Sequence, residues 1–186
     1  GGGAFHCVHM SEHDLDLFKE KHLNIVTNPA SNLKLASGIA PIQAMLQRNI
    51  NVCLGTDGAA SNNCLDMFRE MFLVTGLAKY KNCDASAVDA YEVLKMATVN
   101  GAKALNLNCG VLEAGKLADL IILDLYQPNM QPMNNIAKNI VYSGSKFNVK
   151  CTMVNGKILY EDGHFYVGFE IEALYDEIQK RVERLK

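Results

Sequence analysis

The stretch Leu54-Gly55-Thr56-Asp57-Gly58-Ala59-Ala60-Ser61-Asn62-Asn63 is the most informative part of this sequence. It overlaps an apolar run, residues 51–55 (NVCLG), that predicts a buried strand, and it changes at once to small and polar residues. Asp57 therefore follows a strand directly, with room beside it. A carboxylate presented in this way can bind a metal ion and accept a proton from bound water. The alternative is a turn aspartate that bonds its own backbone, because Asp-Gly is a common turn pair.

Two further strand and helix patterns precede this stretch. Residues 5–9 predict a short strand and residues 23–27 (LNIVT) a second one, with a helix over residues 11–22 that opens on a capping box. A helix over residues 39–49 then leads into the strand before Asp57. Strands that alternate with helices form parallel sheets, which carry functional loops at the carboxyl ends of their strands. We therefore predict an α/β fold with a site at that end.

Polar side chains follow each of these strands, so we expect them to meet near Asp57. His6 and His9 point to opposite faces if one strand contains both, which predicts one of them in the site and the other outside it. Both could instead be buried, hydrogen-bonded histidines without a role there. The amides and hydroxyls that could contact a substrate, or simply shape predicted loops, are Asn28, Ser31, Asn32, Ser61 and Asn62.

The second half of the sequence predicts a β-rich unit. Residues 119–125 (DLIILDL) are nearly all apolar and predict a buried strand. Residues 139–143 and 149–154 predict two more, and Asn155-Gly156 predicts a tight hairpin. A helix with one apolar face closes the sequence. The predicted division is an α/β part over residues 5–109, a β-rich part over residues 110–168 and a helix over residues 169–186, while Gly1-Gly2-Gly3 is interpreted as a cloning remnant outside the fold.

The composition excludes several classes of protein. The 186 residues are 49% hydrophobic and 20% charged, which is ordinary for a globular domain. The net charge of -2 gives no basic footprint for nucleic acid or for a membrane surface, and no apolar run approaches the roughly 20 residues of a bilayer span. Six cysteines without a CxxC pair are interpreted as reduced thiols, which favours a cytoplasmic location.

The residues around Asp57 resemble the strand-eight segment of the amidohydrolase superfamily. Residues 6–9 (HCVH) resemble its strand-six segment, and residues 28–35 (NPASNLKL) with residues 38–41 (GIAP) resemble its strand-seven segment. Together they are similar to the 5-methylthioadenosine/S-adenosylhomocysteine deaminases, in the broader group that includes the triazine chlorohydrolases. Residues 110–124 resemble the entry of the chain into the small β-sandwich of that family.

This resemblance covers residues 5–186 and implies the last three βα units of a TIM (β/α)₈ barrel, part of a β-sandwich and a C-terminal helix. It implies a hydrolytic deaminase of a purine nucleoside that uses a divalent metal, zinc or else iron. Asp57 matches the metal ligand that takes the proton of the attacking water, and His6 matches the histidine that polarises or protonates the ring. His9 matches an accompanying histidine that could contact the substrate.

Several alternatives stay open at this point. Guanine or cytosine deamination and triazine dechlorination fit the same group of enzymes. A non-catalytic binding module is the alternative from another class. The family's strand-one His-x-His pair and strand-five histidine do not occur in this sequence. Because a zinc hydrolase needs three protein ligands, we expect a C-terminal portion with an incomplete metal site and no turnover alone. Its uncovered apolar edges predict homo-oligomers or aggregation.

Overall fold

The computed structural model describes residues 2–185 and confirms the α/β class. Helices surround a parallel sheet in the first part of the chain, and an antiparallel sheet follows in the second. In chain order the elements are β1 Gly3–Phe5, α1 Glu12–Glu20, β2 Asn24–Thr27, α2 Pro29–Lys34, α3 Ile42–Gln47, β3 Asn51–Leu54, α4 Ala59–Asn62, α5 Met67–Asn82, α6 Ala90–Ala97, α7 Val99–Ala104, β4 Leu120–Leu123, α8 Ile136–Ser143, β5 Val149–Val154, β6 Lys157–Glu161, β7 His164–Phe165 and α9 Ile171–Glu183.

The first sheet has the strand order β1-β2-β3, and all three strands are parallel. Helix α1 connects β1 to β2, and α2 and α3 connect β2 to β3. The predicted capping box at the start of α1 is confirmed, because Ser11 and Asp14 exchange side-chain and backbone hydrogen bonds. Since the strands run in one direction, the segments after Phe5, Thr27 and Leu54 all emerge at the same edge of the sheet.

The core of the first part lies between this sheet and the helices α5 and α6. Ile25 and Val52 are completely buried on the sheet, and Val93 and Met96 of α6 pack into the same cluster. Helix α8, which lies between β4 and β5 in the sequence, adds Val141 to that cluster. The segment predicted as β-rich therefore contributes a helix to the core of the α/β part.

The first strand differs from its prediction at both ends. It begins at Gly3, which pairs with Asn24, so this glycine belongs to the sheet and is not outside the fold; Gly1 lies outside the described residues. The strand ends at Phe5 instead of His9, because His6 and Cys7 both have positive φ angles, of 65° and 49°. This left-handed turn ends the extended backbone. The prediction that His6 and His9 point to opposite faces assumed one continuous strand, so it does not apply.

Residues 29–34 form the helix α2, with Asn28 as its N-cap residue, where the sequence predicts a loop over residues 28–34. Their Asn, Pro and Ser content favours a loop, yet Pro29 occupies the first helical position, where its fixed φ angle and missing N–H are tolerated. Residues 139–143 belong to helix α8 and not to a strand. Ala137 and Val141 lie one helical turn apart and are both buried, so the apolar residues follow a helical period that the short window concealed.

The second sheet is antiparallel with the order β4-β5-β6-β7. The predicted hairpin is confirmed: Asn155 and Gly156 join β5 to β6 with φ angles of 48° and 76°. The predicted buried strand is shorter than expected, and Ile121 and Ile122 are about half exposed. Because neighbouring residues of a strand point to opposite faces, neither face of β4 is fully covered by the described residues.

The terminal helix α9 forms as predicted, but each of its residues is at least partly exposed. Its apolar side chains therefore face solvent instead of a core. No helix in the described part of the chain is both long and apolar enough to cross a bilayer.

The side-chain amide of Asn100 covers part of β3, the outer strand of the first sheet. β3 is an edge strand, and the carbonyl oxygen of Val52 accepts a hydrogen bond of 2.8 Å from Asn100 Nδ2. In return, Asn51 Nδ2 and Cys53 Sγ donate to the carbonyl oxygen of Asn100 at 3.1 and 3.2 Å. Helix α7 is thereby fixed against the strand by polar contacts that satisfy backbone groups.

We predict that Asn100→Ala lowers the free energy of unfolding by about 1–3 kcal/mol, because it leaves a partly buried carbonyl group without a donor. Urea denaturation should show a lower midpoint with an unchanged slope. Asn108→Ala is the matched control, because it removes an amide-to-carbonyl bond of 2.9 Å in an exposed loop. An equal loss in both variants would show that Asn100 does not stabilise the strand edge.

Candidate functional site

The last hydrogen bonds of the parallel sheet place the candidate residues. The backbone N–H of His6 donates to the Val26 carbonyl oxygen at 2.8 Å, and that of Gly55 donates to the Thr27 carbonyl oxygen at 2.9 Å. His6 and Gly55 therefore leave the sheet at fixed positions on either side of β2. Asp57 follows two residues later, so two of the predicted groups meet at the carboxyl edge.

Asp57 is the most strongly constrained side chain at this edge. Its Oδ2 accepts a hydrogen bond of 2.6 Å from Ser31 Oγ, and its Oδ1 accepts one of 2.8 Å from the Gly58 backbone N–H. The Ser31 hydroxyl, followed by the Ser61 hydroxyl and the Gly58 N–H, lowers the pKa of Asp57 to about 2. The bond to Gly58 is what a simple turn aspartate would make. The bond to Ser31, 26 residues away, is additional and joins two βα units.

His6 faces the same carboxylate. Its Nδ1 lies 2.8 Å from Asn32 Oδ1, with the amide oxygen assigned to face the ring, and 3.5 Å from Asn28 Nδ2. The shorter contact is to an acceptor, so it places the ring proton on Nδ1 and leaves Nε2 with a free lone pair. Nε2 lies 3.9 Å from Asp57 Oδ2, and both side chains keep about a third of their surface exposed. The pair can thus share a ligand or a proton.

Asn28 reaches this site because Gly55 has no side chain. A Cβ atom at Gly55 would lie 2.5 Å from Asn28 Oδ1 and 2.9 Å from Val26 Cγ1, so any larger residue would displace the amide. Asn28 is buried and occupies the N-cap position of α2, yet its side chain makes no capping hydrogen bond. Its Nδ2 instead lies 3.5 Å from His6 Nδ1, a contact between two donors when the ring proton is on Nδ1.

The other predicted residues are placed differently. His9 is exposed and lies in the segment that leads to α1. Ser61 lies near the Asp57 carboxylate, and its single hydroxyl proton can go either to that carboxylate or to the Gly58 carbonyl oxygen, 3.1 Å away. Asn62 is buried, and its Nδ2 donates to the Thr56 carbonyl oxygen at 2.6 Å and to a carboxylate oxygen of α5 at 2.7 Å. Its N–H groups are therefore not available to a substrate.

Glu70, which the sequence did not single out, and Lys34, which lies in the segment 28–35 that it did, also contact these loops. Glu70 on α5 is the fully buried acceptor for Asn62. Lys34 on α2 donates to the Ala60 carbonyl oxygen at 2.8 Å and to Asn63 Oδ1, which joins the same loops from the exposed side. The signal for Glu70 was its spacing: it precedes the buried Val74 and Ala78 by four and eight residues, so it lies on the apolar face of its helix.

The described residues contribute only part of a metal site. Among residues 2–185, no group of three or more His, Cys, Asp or Glu side chains lies close enough to hold a metal ion. Asp57 and His6 offer one carboxylate oxygen and one free imidazole nitrogen, whereas hydrolytic zinc sites use three protein ligands. The described residues therefore offer fewer ligands here than a hydrolytic zinc site uses.

Comparison with known proteins shows which proteins this chain is similar to. The family model for the amidohydrolase family matches residues 3–159. The 5'-deoxyadenosine deaminase of Methanosarcina mazei is 46% identical over 182 residues, covering 98% of this chain and 42% of that protein. The 5-methylthioadenosine/S-adenosylhomocysteine deaminase of Caldanaerobacter subterraneus subsp. tengcongensis is 45% identical over 184 residues, with the same coverage.

The structural comparison agrees. An adenosine deaminase from Xanthomonas campestris with bound zinc superposes with a TM-score of 0.94 at 35% identity, over 98% of this chain and 42% of that one. The chain thus spans about 42% of the length of the relatives it matches. The predicted family and fold class are confirmed by the family match over most of the chain and by this superposition. The chain belongs to the amidohydrolase family.

Proposed function

We propose that this chain is the C-terminal portion of a hydrolytic deaminase of a purine nucleoside, of the 5-methylthioadenosine/S-adenosylhomocysteine type. The observation that carries the proposal is the Asp57 carboxylate, held by Ser31 and facing the free Nε2 of His6. A charged acceptor next to an imidazole suits a reaction that removes a proton from water and delivers one to a leaving amine. The two relatives at 45–46% identity carry the names of purine nucleoside deaminases.

In this proposal the described residues have separate roles. Asp57 would be one ligand of the metal and would accept the proton of the attacking water. His6, oriented by Asn32, holds or donates a proton at the nucleobase. Asn28 and Ser31, which surround the same space, position the substrate.

The remaining predicted residues have weaker claims. Ser61 and His9 could contact more distant parts of the substrate, because both lie near this edge with exposed or partly exposed surface. Asn62, which the sequence placed among the substrate-binding residues, acts instead as a structural link, since its N–H groups are already bonded.

A divalent metal, zinc in preference to iron, would supply an acidified water to this site. The zinc-containing deaminase that superposes on this chain supports that choice. The ligands beyond Asp57 would come from the part of the relatives that this chain does not span. Guanine or cytosine deamination and triazine dechlorination are less well supported, because the nucleoside deaminases match so much of this chain at high identity.

Two other expectations belong to this proposal. Of the divisions at residues 5–109, 110–168 and 169–186, the one near residue 110 is supported by the two separate sheets, and the one near residue 169 by the exposed helix α9. The first part, however, includes Gly3 in its sheet, and helix α8 of the second part packs into its core. A cytoplasmic location is supported by six free cysteines, three of them buried in the described structure.

Residues 2–185 alone should neither retain zinc nor deaminate. Because Asp57 alone gives weak binding, we predict zinc well below one atom per chain after gel filtration, measured by elemental analysis. Ammonia release from 5-methylthioadenosine or 5'-deoxyadenosine should equal that of a sample without protein. A complete deaminase of the family is the positive control. Zinc near one per chain together with turnover would refute the proposed partial site.

Substitutions of Asp57 and Ser31 should affect the complete enzyme differently. In a protein that joins this chain to the missing barrel strands, we predict that Asp57→Asn lowers kcat by about 10²- to 10⁴-fold, because proton transfer is lost. Ser31→Ala should lower it by about 10-fold, since the carboxylate loses one charge-assisted hydrogen bond. Ser37→Ala, at an exposed serine three residues after α2, is the matched control. Equal kcat values for the three variants in steady-state kinetics would contradict the assigned roles.

The uncovered sheet should make the chain self-associate. Because Ile121 and Ile122 expose both faces of β4, we predict concentration-dependent oligomers by light scattering. The double variant Ile121→Thr/Ile122→Thr should shift the distribution toward the monomer while keeping the β propensity of the strand. Tyr80→Thr, which removes an exposed aromatic residue from α5, serves as the control. A monodisperse monomer of the unchanged chain would overturn this expectation.

A further inference from the structure

Glu70 is a buried carboxylate that the proposed chemistry does not use. It lies in the first turn of α5 with no exposed surface. Its Oε2 accepts a hydrogen bond of 2.9 Å from the Ala30 backbone N–H, and its Oε1 accepts one of 2.7 Å from Asn62 Nδ2. Burial raises the pKa of this carboxyl group, and the two donors oppose that effect. Both partners are uncharged N–H donors, so each of the two positions requires an acceptor atom.

The bond to Ala30 takes the place of a helix cap. Ala30 is the second residue of α2, and the N–H at that position is normally satisfied by the side chain of the N-cap residue. Here the N-cap residue is Asn28, whose side chain makes no such bond and contacts His6 instead. Glu70, 40 residues further along the chain, supplies the acceptor. The asparagine is thereby released from capping and can face the site.

The bond to Asn62 acts on the other loop. Asn62 Nδ2 also donates to the Thr56 carbonyl oxygen at 2.6 Å, which closes the turn that contains Asp57. One carboxylate thus contacts the helix that carries Ser31 and the turn that carries Asp57. The 2.6 Å hydrogen bond between Ser31 and Asp57 spans these same two segments.

We propose that Glu70 is a positioning residue: its carboxylate replaces the N-cap of α2 and fixes the Asp57 turn through Asn62, which leaves Asn28 free for the substrate. The role in catalysis rests on the proposed deaminase function, whereas the structural part does not. A glutamine has one acceptor oxygen, so it can satisfy Ala30 or Asn62 but not both. Its N–H₂ group would face a donor at the other contact.

Amide hydrogen exchange of this chain, followed by NMR, tests the structural part. We expect Glu70→Ala to accelerate exchange at Ala30, Ser31 and Asn32 by at least about 10-fold more than at Ile25 and Val52 in the sheet. Thr75→Val is the matched control. Thr75 is equally buried on the same helix, and its hydroxyl donates at 2.6 Å to the Val88 carbonyl oxygen, away from the site. It should accelerate exchange uniformly.

Two milder variants keep the test decisive if Glu70→Ala does not fold. Glu70→Gln should accelerate exchange in α2 less than Glu70→Ala does, because one acceptor remains. Asn62→Ala should leave Ala30 protected while it loosens the turn that contains Asp57. Uniform acceleration in all Glu70 variants, equal to that of Thr75→Val, would overturn the proposal.

The catalytic part is tested in the complete deaminase. Glu70→Gln is expected to lower kcat by about 10-fold with KM changed less than about 2-fold, because the reacting groups are misplaced but still present. Thr75→Val should leave both constants unchanged. A loss confined to KM, or no loss at all, would refute the positioning role. If the unchanged enzyme proves not to be a deaminase, the hydrogen exchange result still decides whether Glu70 organises the two loops.

Discussion

The hydrogen bond from Ser31 to Asp57 depends on the parallel register of β2 and β3. The two residues are 26 positions apart, and their side chains meet only because both strands end at one edge with Thr27 opposite Leu54. A shift of one residue in this register would turn every side chain of a strand to the other face. The buried Ile25 and Val52 prevent such a shift, since it would expose them. Core packing and the geometry of the site are thus fixed by the same pairing.

The sequence was sufficient to bring Asp57 and His6 to the same end of the sheet but not to describe the contacts that hold them there. Asp57 and His6 could be identified because strand ends and chemically active residue types coincide there. Helix α2 was missed because Asn, Pro and Ser favour loops, while the partner that caps this helix lies on α5. Glu70 was missed because a glutamate in a helix usually faces solvent. Both errors concern contacts between segments that are distant in the sequence, which local patterns do not reveal.

The described residues supply some, but not all, of the chemical groups that a metal-binding site needs. The described residues give it an anionic group, an oriented imidazole and several amides, but not enough ligands to enclose a cation. The strands with uncovered edges and the half-exposed β4 lie in a chain that spans about 42% of its relatives' length. The Asp57 carboxylate is nevertheless held by described residues alone: hydrogen bonds, led by that from Ser31, orient it and lower its pKa to about 2.

Helix α8 has a consequence for how such a chain can evolve. It lies between two strands of the second sheet in sequence, yet its Val141 packs in the core of the first, and its Tyr142 hydroxyl lies 3.4 Å from that of Thr75. The second part of the chain therefore completes the core of the first part through α8. Recombination at the apparent boundary near residue 110 would separate α5 and α6 from a helix that completes their core. Inheritance of the two sheets as a single block is the expected result.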